Sequence, residues 1–251
     1  SALTDRRISE ATAKKYGVKC VLSSNGDIVQ HLYPYYNKHE LSATKVRYIR
    51  DKNFSVMGSF NGTGLFGEQL FQKAKYITIT EGECDAMACY ELMGSKWASV
   101  SIKRGSSGAV KDIKESLEFL ESFENVVICF DSDKQGKEAA QKAAMLFQPS
   151  KAKIMKLPEG YKDANDMLRQ NKHKEFVEAW WSAKTYTPSG VINVSEARTD
   201  FFNREQKESV PYPWKGLNDK LYGLRSGELL TLTGGTGLGK SSVTRELEHW
   251  L

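Results

Sequence analysis

Short apolar runs that end in carboxylates constrain this chain most. Tyr76-Ile77-Thr78-Ile79-Thr80 leads directly into Glu81-Gly82-Glu83-Cys84-Asp85, and Val126-Val127-Ile128-Cys129-Phe130 into Asp131-Ser132-Asp133. A third acidic group follows at Lys162-Asp163-Ala164-Asn165-Asp166. Runs this short and this apolar read as strands buried on both faces, as in a parallel sheet. Acids placed directly after such strands lie at the carboxyl edge of the sheet, where open α/β folds keep their sites. Carboxylates converging there repel one another unless a cation sits between them, and hard oxygen donors with open positions favour Mg²⁺, the metal of phosphoryl chemistry.

The intervening segments alternate in kind. Strands are expected over 76–80, 98–102, 126–130 and 153–157, with helices over 85–92, 110–123 and 136–147. This βαβαβαβ order winds by right-handed crossovers into a parallel sheet with helices on both faces. Ahead of it the pattern predicts a helix over 9–16 stopped by Gly17, a hairpin over 18–36 around Asn25-Gly26-Asp27, and a basic strand over 43–50. Behind it lie an aromatic helix ending near Trp180-Trp181 and a Pro/Ser/Gly-bearing boundary. A polar helix is expected over 195–208, either docking on another subunit through Ala197, Phe201 and Phe202 or serving as a solvated tether. The expected organisation is a basic N-terminal subdomain over 1–74, a catalytic subdomain over 75–185, a linker over 186–213 and a further segment over 214–251.

Charge is divided unevenly. The chain carries a net +5, but residues 1–75 alone carry +6, with 12 Lys+Arg against 6 Asp+Glu. A basic third beside an acidic site suits a phosphate backbone next to a metal centre, and equally a solvated basic face. The four cysteines form no C-x-x-C pair, which argues for buried thiols rather than zinc or a disulfide framework. No apolar run reaches the roughly 20 residues of a membrane span. The chain starts at Ser1 without a signal-like segment and stops at Trp250-Leu251, as a fragment of a larger protein would.

Within the carboxylate set, Glu81 and Asp85 reach one sheet edge if Glu81 ends its strand and Asp85 opens the helix. Asp131 and Asp133 point the same way if their strand continues extended. Together they could hold one or two Mg²⁺. The competing structural role for Asp85 and Asp133 is helix N-capping.

A second motif, Gly234-Gly235-Thr236-Gly237-Leu238-Gly239-Lys240-Ser241, fits G-x-x-x-x-G-K-[ST] and follows the apolar run Leu229-Leu230-Thr231-Leu232. In a P-loop the backbone N–H groups cradle a triphosphate, Lys240 reaches the β- and γ-phosphates, and Ser241 binds Mg²⁺. Gly234 and Gly239 are the fixed glycines of the pattern.

E-G-x-x-D after one strand, D-x-D after a later one and K-D-A-N-D beyond it resemble the Toprim domain of bacterial-type primases, type IA and II topoisomerases and some nucleases. Lys45-Val46-Arg47, Arg50-Asp51-Lys52-Asn53-Phe54 and Leu65-Phe66-Gly67 narrow the resemblance to the primase part of the bifunctional primase-helicases of tailed phages. The likeness covers essentially the whole chain. It implies an α/β Toprim-type sheet flanked by helices, a basic α+β subdomain before it, and a truncated RecA-like P-loop segment behind it.

The resemblance further implies an RNA primase working on single-stranded DNA with Mg²⁺ or Mn²⁺ and ribonucleoside triphosphates. Glu81, Asp131 and Asp133 are the implied metal ligands, supported by Asp85 and Asp163. Lys45, Arg47 and Lys52 would contact template, primer or triphosphate. The glycine-rich turn at Lys103 and Arg104 would bind phosphate, with Lys162 and Asn165 from the third motif alongside.

In the intact protein a hexameric 5′–3′ helicase burning ATP or dTTP, an RNA primer and a replicative DNA polymerase would be partners, in a phage-infected bacterial cytoplasm or, alternatively, a mitochondrion or plastid. A non-catalytic assembly module of a helicase and a Toprim nuclease are the competing readings. Since the family's zinc module and most of its motor have no counterpart in this sequence, template-specific initiation and efficient ATP hydrolysis are not expected of the chain as it stands. Nor is zinc, and the chain alone is expected to be monomeric or weakly associating.

Overall fold

The computed structural model describes residues 2–51, 53–187, 198, 202 and 208–251. The chain divides into two compact units, Ser1–Val191 and Ile192–Leu251.

The first unit opens with a short 3₁₀ turn, Thr4–Arg6, and helix α1, Glu10–Lys15, capped by the Ser9 hydroxyl on the Thr12 N–H. An antiparallel sheet follows, in order β1 (Lys19–Leu22), β2 (Ile28–Asn37), β3 (Glu40–Tyr48) and β4 (Phe54–Gly58). Asn25-Gly26-Asp27 makes the β1–β2 turn as its sequence predicts, with Gly26 at φ 85°. The basic strand is β3, and its pairing sets Arg47 opposite Phe54 and Lys45 opposite Val56.

The second sheet is built from β5 (Tyr76–Thr80), β6 (Ala98–Ser101), β7 (Asn125–Cys129), β8 (Ala152–Ile154) and β9 (Lys184–Thr185). Its order is β6-β5-β7-β8-β9, with β5–β6, β5–β7 and β7–β8 parallel and β8–β9 antiparallel at the edge. The helices are α2 (Glu83–Leu92), α3 (Ala109–Glu115), α4 (Leu117–Glu121), α5 (Lys134–Ala144), α6 (Ala164–Arg169) and α7 (His173–Trp181).

Because side chains alternate along each strand, the parallel sheet feeds two cores. Ile77, Ile79, Val126 and Ile128 pack with Ile113, Phe123 and the alanines of α5 on one face. Val127 and Cys129 join Tyr16, Tyr33, Tyr35, Phe66, Met87, Met167 and Trp180 on the other. The second core takes in β2 and α1, so the antiparallel sheet is fastened to the parallel one through buried aromatics. Tyr16 donates to the Ser99 carbonyl at 2.8 Å and the Trp180 indole N–H to Thr78 Oγ1 at 2.9 Å, which satisfies both polar ends inside the core.

Several expectations are corrected. The single helix expected over 110–123 is two, parted at Ser116, which leaves α3 with its backbone at φ −113°. The strand expected to continue through Asp131 and Asp133 ends at Cys129. The apolar run Leu229–Leu232 takes no strand conformation, and Leu229, Leu230 and Leu232 stay exposed. A strand needs neighbours to pair its backbone, and among the described residues none flanks this run. The helix expected over 195–208 lies outside the described residues apart from Arg198, Phe202 and Glu208. Among the described residues no helix is long and apolar enough to cross a membrane.

Candidate metal centre and nucleotide cleft

Three loops at the carboxyl edge of the parallel sheet place the acids. After β5 the chain turns through Gly82, whose carbonyl accepts from Thr80 Oγ1 at 3.0 Å, and enters α2. A Cβ on Gly82 would stand 2.7 Å from Asp85 Oδ2, so glycine is what lets the Asp85 carboxylate fold back over the turn. After β7 comes Asp131, and α5 passes so close that a Cβ on Gly136 would lie 2.3 Å from the Asp131 carbonyl oxygen. The third loop is pulled in by Ser132, whose N–H donates to Lys162 O at 2.9 Å and whose hydroxyl donates to Tyr161 O at 3.0 Å. That delivers Asp163, the N-cap of α6, whose carboxylate accepts the Asp166 N–H at 2.8 Å.

The result is a cluster: Asp85, Asp131 and Asp163 each offer an oxygen, and all three lie within 4.8 Å of one another. Asp85 Oδ1 also accepts the Asn165 N–H at 3.0 Å, which ties α2 to α6. Burial pushes the Asp131 carboxyl up to about 6, helped by the Glu81 charge and opposed by Lys162, whose Nζ lies 3.2 Å from Asp131 Oδ2. Burial, then the charge of Asp163, raises Asp85 well above the usual carboxylate range. Carboxylate oxygens pressed together at a cost in free energy could hold a hard divalent cation. Glu81 lines the same cleft: its Oε1 accepts the Ser106 N–H at 3.1 Å, while its buried Oε2 has no hydrogen-bond partner. All four carboxylates are oxygen donors of the kind Mg²⁺ or Mn²⁺ takes, so the residues present fit such an ion.

Asp133 is placed otherwise than the extended strand required. It caps α5, accepting the Gly136 N–H at 2.8 Å, and the tight cluster forms without it.

Facing the acids is a basic wall across a cleft of about 540 Å³. Lys45 and Arg47, two apart on β3, share one face. Lys45 Nζ donates to Glu83 Oε1 at 2.7 Å and Lys103 O at 3.1 Å, and stands 4.8 Å from the Phe54 ring centroid. Arg47 stacks its guanidinium carbon 5.6 Å from the same ring, and its buried Nε has no partner. Arg104 pairs with the fully buried Asp112. Lys103 differs from its expected role: its ammonium is wholly buried, donating to Thr63 O at 2.8 Å and Glu115 Oε2 at 2.7 Å, so only its backbone faces the cleft. Asn165 is buried too, its Nδ2 donating to Arg6 O at 2.9 Å, and Lys52 lies outside the described residues.

The sequence reading missed Arg6. The 3₁₀ turn that carries it is pinned on three sides: by Asn165 on Arg6 O, by Arg7 Nη1 on Arg169 O at 2.6 Å, and by Asp5 against the buried His31 at 3.0 Å. Arg6 thereby reaches the cleft from the start of the chain, with its Nε in an ion pair with Asp5 Oδ2 at 3.7 Å. Among the described cations lining the cleft, Lys45, Lys103, Arg104 and Lys162 hold partners at 3.2 Å or less within the chain, whereas Arg6 has the longer Asp5 contact and Arg47 lies against the Phe54 ring. Nothing in the tandem Arg6-Arg7 signals this, since the contacts that aim it join residues 26 to 162 positions apart.

In the second unit the glycine loop runs into helix Lys240–Trp250, with Gly237 and Gly239 at φ 82° and 83°. Lys240 Nζ folds back onto the carbonyls of Gly234 and Gly235, both at 2.8 Å. Ser241 stands in the first turn of the helix.

Residues 78–168 match a family model described as Toprim-like. The chain is 33% identical over 255 aligned positions to the DNA helicase/primase of Enterobacteria phage T3, covering 98% of this chain and 44% of that protein, so it spans less than half the length of this curated relative. It superposes on the crystal structure of the primase fragment of the bacteriophage T7 primase-helicase with a TM-score of 0.64 at 33% identity, covering 72% of this chain and 74% of the other. A chain from an assembly of the T7 lagging-strand DNA polymerase with primase domains bound to an RNA/DNA hybrid and dTTP gives 0.67 at 33% identity, covering 74% and 93%. The zinc-binding and RNA polymerase domains of the Aquifex aeolicus primase share the fold at 17% identity and a TM-score of 0.55.

Proposed function

The chain belongs to the phage primase-helicase family, and from that membership we propose that it is a DNA-dependent RNA primase whose intact form continues into a replicative helicase. The observation that carries the reading is the cluster of Asp85, Asp131 and Asp163 set across a narrow cleft from Lys45, Arg47 and Arg6. Anionic oxygens on one wall and cations on the other suit a triphosphate that must meet a metal and be neutralised at the same time.

In this reading Asp85, Asp131 and Asp163 hold Mg²⁺ or Mn²⁺, with Glu81 beside them. When bound there, such an ion would supply charge neutralisation and lower the pKa of a hydroxyl beside it. The chemistry forms a bond between the 3′-oxygen of one ribonucleotide and the α-phosphorus of the next, and breaks the bond to the departing pyrophosphate. Arg6 and Arg47, the two guanidinium groups on this wall without a short carboxylate partner, bind non-bridging phosphate oxygens. Lys45 adds a third cation, and the Phe54 ring offers a face for a base. The single-stranded template follows the basic wall of β3. Lys162, paired with Asp131, limits the build-up of negative charge between substrates. The proposed setting is a phage-infected bacterial cytoplasm, with the RNA primer passed to a replicative polymerase.

Extension of a short RNA annealed to single-stranded DNA, with labelled ribonucleotides and Mg²⁺ or Mn²⁺, tests this. The wild type should extend and Asp131→Ala should not. Equal extension by both, or none by a folded wild type that binds the DNA, would remove the reading.

A further inference from the structure

Glu83 has no part in the chemistry above, yet it is a carboxylate only 4% exposed at the opening turn of α2, between Glu81 and Asp85. One oxygen, Oε1, receives two hydrogen bonds: from the Tyr35 hydroxyl at 2.6 Å and from Lys45 Nζ at 2.7 Å. Tyr35 is on β2, opposite Ala43, and Lys45 is on β3, opposite Tyr33, in the same antiparallel sheet, whereas Glu83 belongs to the parallel-sheet half of the unit. A buried charge is tolerated only when paired and hydrogen-bonded, and here both conditions are met by groups from a different sheet.

The geometry around Lys45 is specific. An ammonium has three donors. One goes to Glu83, a second to Lys103 O at 3.1 Å, and the Phe54 ring lies 4.8 Å from the nitrogen. The long, flexible stem of a lysine ordinarily leaves its charge mobile, and holding it still costs rotamer entropy on binding. Here that entropy is already spent in the folded chain, and the ammonium is fixed on the wall of the cleft with one donor left over.

We propose that Glu83 is a positioning residue: anchored by Tyr35, it holds the Lys45 ammonium at the point where the triphosphate of an incoming ribonucleotide is bound. This deepens the primase reading and rests on its assignment of Lys45 to the phosphates. Glu83 touches neither substrate nor metal; it acts through Lys45. The same contact locks the basic sheet onto the acidic turn, so the two walls of the cleft keep one spacing.

A double-mutant cycle on the 251-residue chain tests it. Equilibrium affinity for a labelled ribonucleoside triphosphate in Mg²⁺ is read alongside KM and kcat for extension. Lys45→Ala is expected to weaken nucleotide binding by about 10-fold or more, and Glu83→Gln by roughly 5- to 10-fold, the loss of charge from an acceptor that glutamine otherwise keeps, with KM rising and kcat within about 2-fold. In the Lys45→Ala background, Glu83→Gln should add less than about 2-fold. Full additivity of the two would overturn the proposal while leaving Lys45 as a phosphate contact. A Lys45→Ala chain that binds nucleotide as the wild type does would remove the assignment beneath it. Should Glu83→Gln not fold, Tyr35→Phe keeps the question open to measurement. It removes one anchor of Glu83 and should weaken binding about 2- to 3-fold in the wild type and not in Lys45→Ala; unchanged binding in the wild type would overturn the proposal.

Discussion

Two short apolar runs, each leading into a motif, meet different fates in this molecule. Tyr76–Thr80 becomes a central strand hydrogen-bonded on both sides, with Ile77 and Ile79 fully buried, and it aims Glu81 and Gly82 at the sheet edge. Leu229–Leu232 is equally apolar, though leucine-rich rather than β-branched, and is followed by an equally clear motif, yet it pairs with nothing among the described residues and keeps its leucines in contact with solvent. The glycine loop after it nevertheless forms, because its turns depend on glycine φ angles and on Lys240 contacts five and six residues away. A local motif can take shape without its sheet; a strand cannot. The acidic site is the opposite case. Its carboxylates come from three loops, and each is placed by hydrogen bonds that reach across tens of residues, so it exists only once the sheet does.

The comparison can be broken first at the level of chemistry. Asp85→Asn keeps the size and the bond to the Asn165 N–H while removing charge from the cluster. Extension of an annealed primer should fall by at least ~100-fold, the scale of losing one preorganised electrostatic group in an active centre. Lys240→Ala in the second unit should leave the same assay within about 2-fold. A comparable loss from both substitutions would show that the two motifs are coupled in nucleotide transfer.

Stability offers the next contrast. Ile79→Ala removes buried methyl groups from the two-sided core and should cost about 2–5 kcal/mol, read by urea or thermal unfolding of the first unit. A cost under ~1 kcal/mol would mean that this strand is not the keystone its burial indicates.

Proton linkage sharpens the account of the acidic cluster. The Asp131 carboxyl, at about 6, lies above its ordinary value of 3.8, so the folded chain binds this proton more tightly than the unfolded chain. The stability this group contributes is therefore fully present below pH ~4 and is lost as pH rises through about 6. Asp85, also raised, contributes in the same direction. A divalent cation that binds only the ionised native cluster reverses the effect. At about 100 times its Kd it contributes ~2.7 kcal/mol, or roughly 5–10 °C in Tm for a domain of this size. Mg²⁺ should thus raise Tm strongly at pH 7.5 and little at pH 5, and Asp131→Asn should erase most of the difference. An equal Mg²⁺ effect at both pH values would contradict a site built on these carboxyls.

What could be read from the sequence follows the same division. The parallel strands, the hairpin at Asn25-Gly26-Asp27 and the basic strand were legible because apolar periodicity and turn chemistry are local signals. The identity of the acidic motifs was legible for the same reason. Which carboxylates meet was not: Asp133 satisfies the strand-end pattern and the N-cap pattern equally, and only the end of β7 at Cys129 decides between them. Lys103 looked like a phosphate ligand beside a glycine turn, but a buried acceptor pair, Thr63 O and Glu115, claims its ammonium. Arg6 entered the cleft through contacts with Asn165 and through the Asp5–His31 pair, none of which leaves a trace in the residues around it.

The smallest expected effect closes the comparison with Ile79. Leu230 is 47% exposed, so replacing it removes little apolar surface from contact with protein. If the run it belongs to contributes no packed strand to this chain, Leu230→Ser should change the unfolding free energy by no more than about 0.5 kcal/mol, the usual range for surface positions. The first unit's transition should not move at all. A cost approaching that of Ile79→Ala would mean that this leucine is covered in solution and that the run has found a partner strand, most simply in a second copy of the chain. Sedimentation of the wild type against Leu230→Ser distinguishes the two cases: a shift toward monomer in the variant accompanies hidden pairing, and identical profiles accompany a run that stays unpaired.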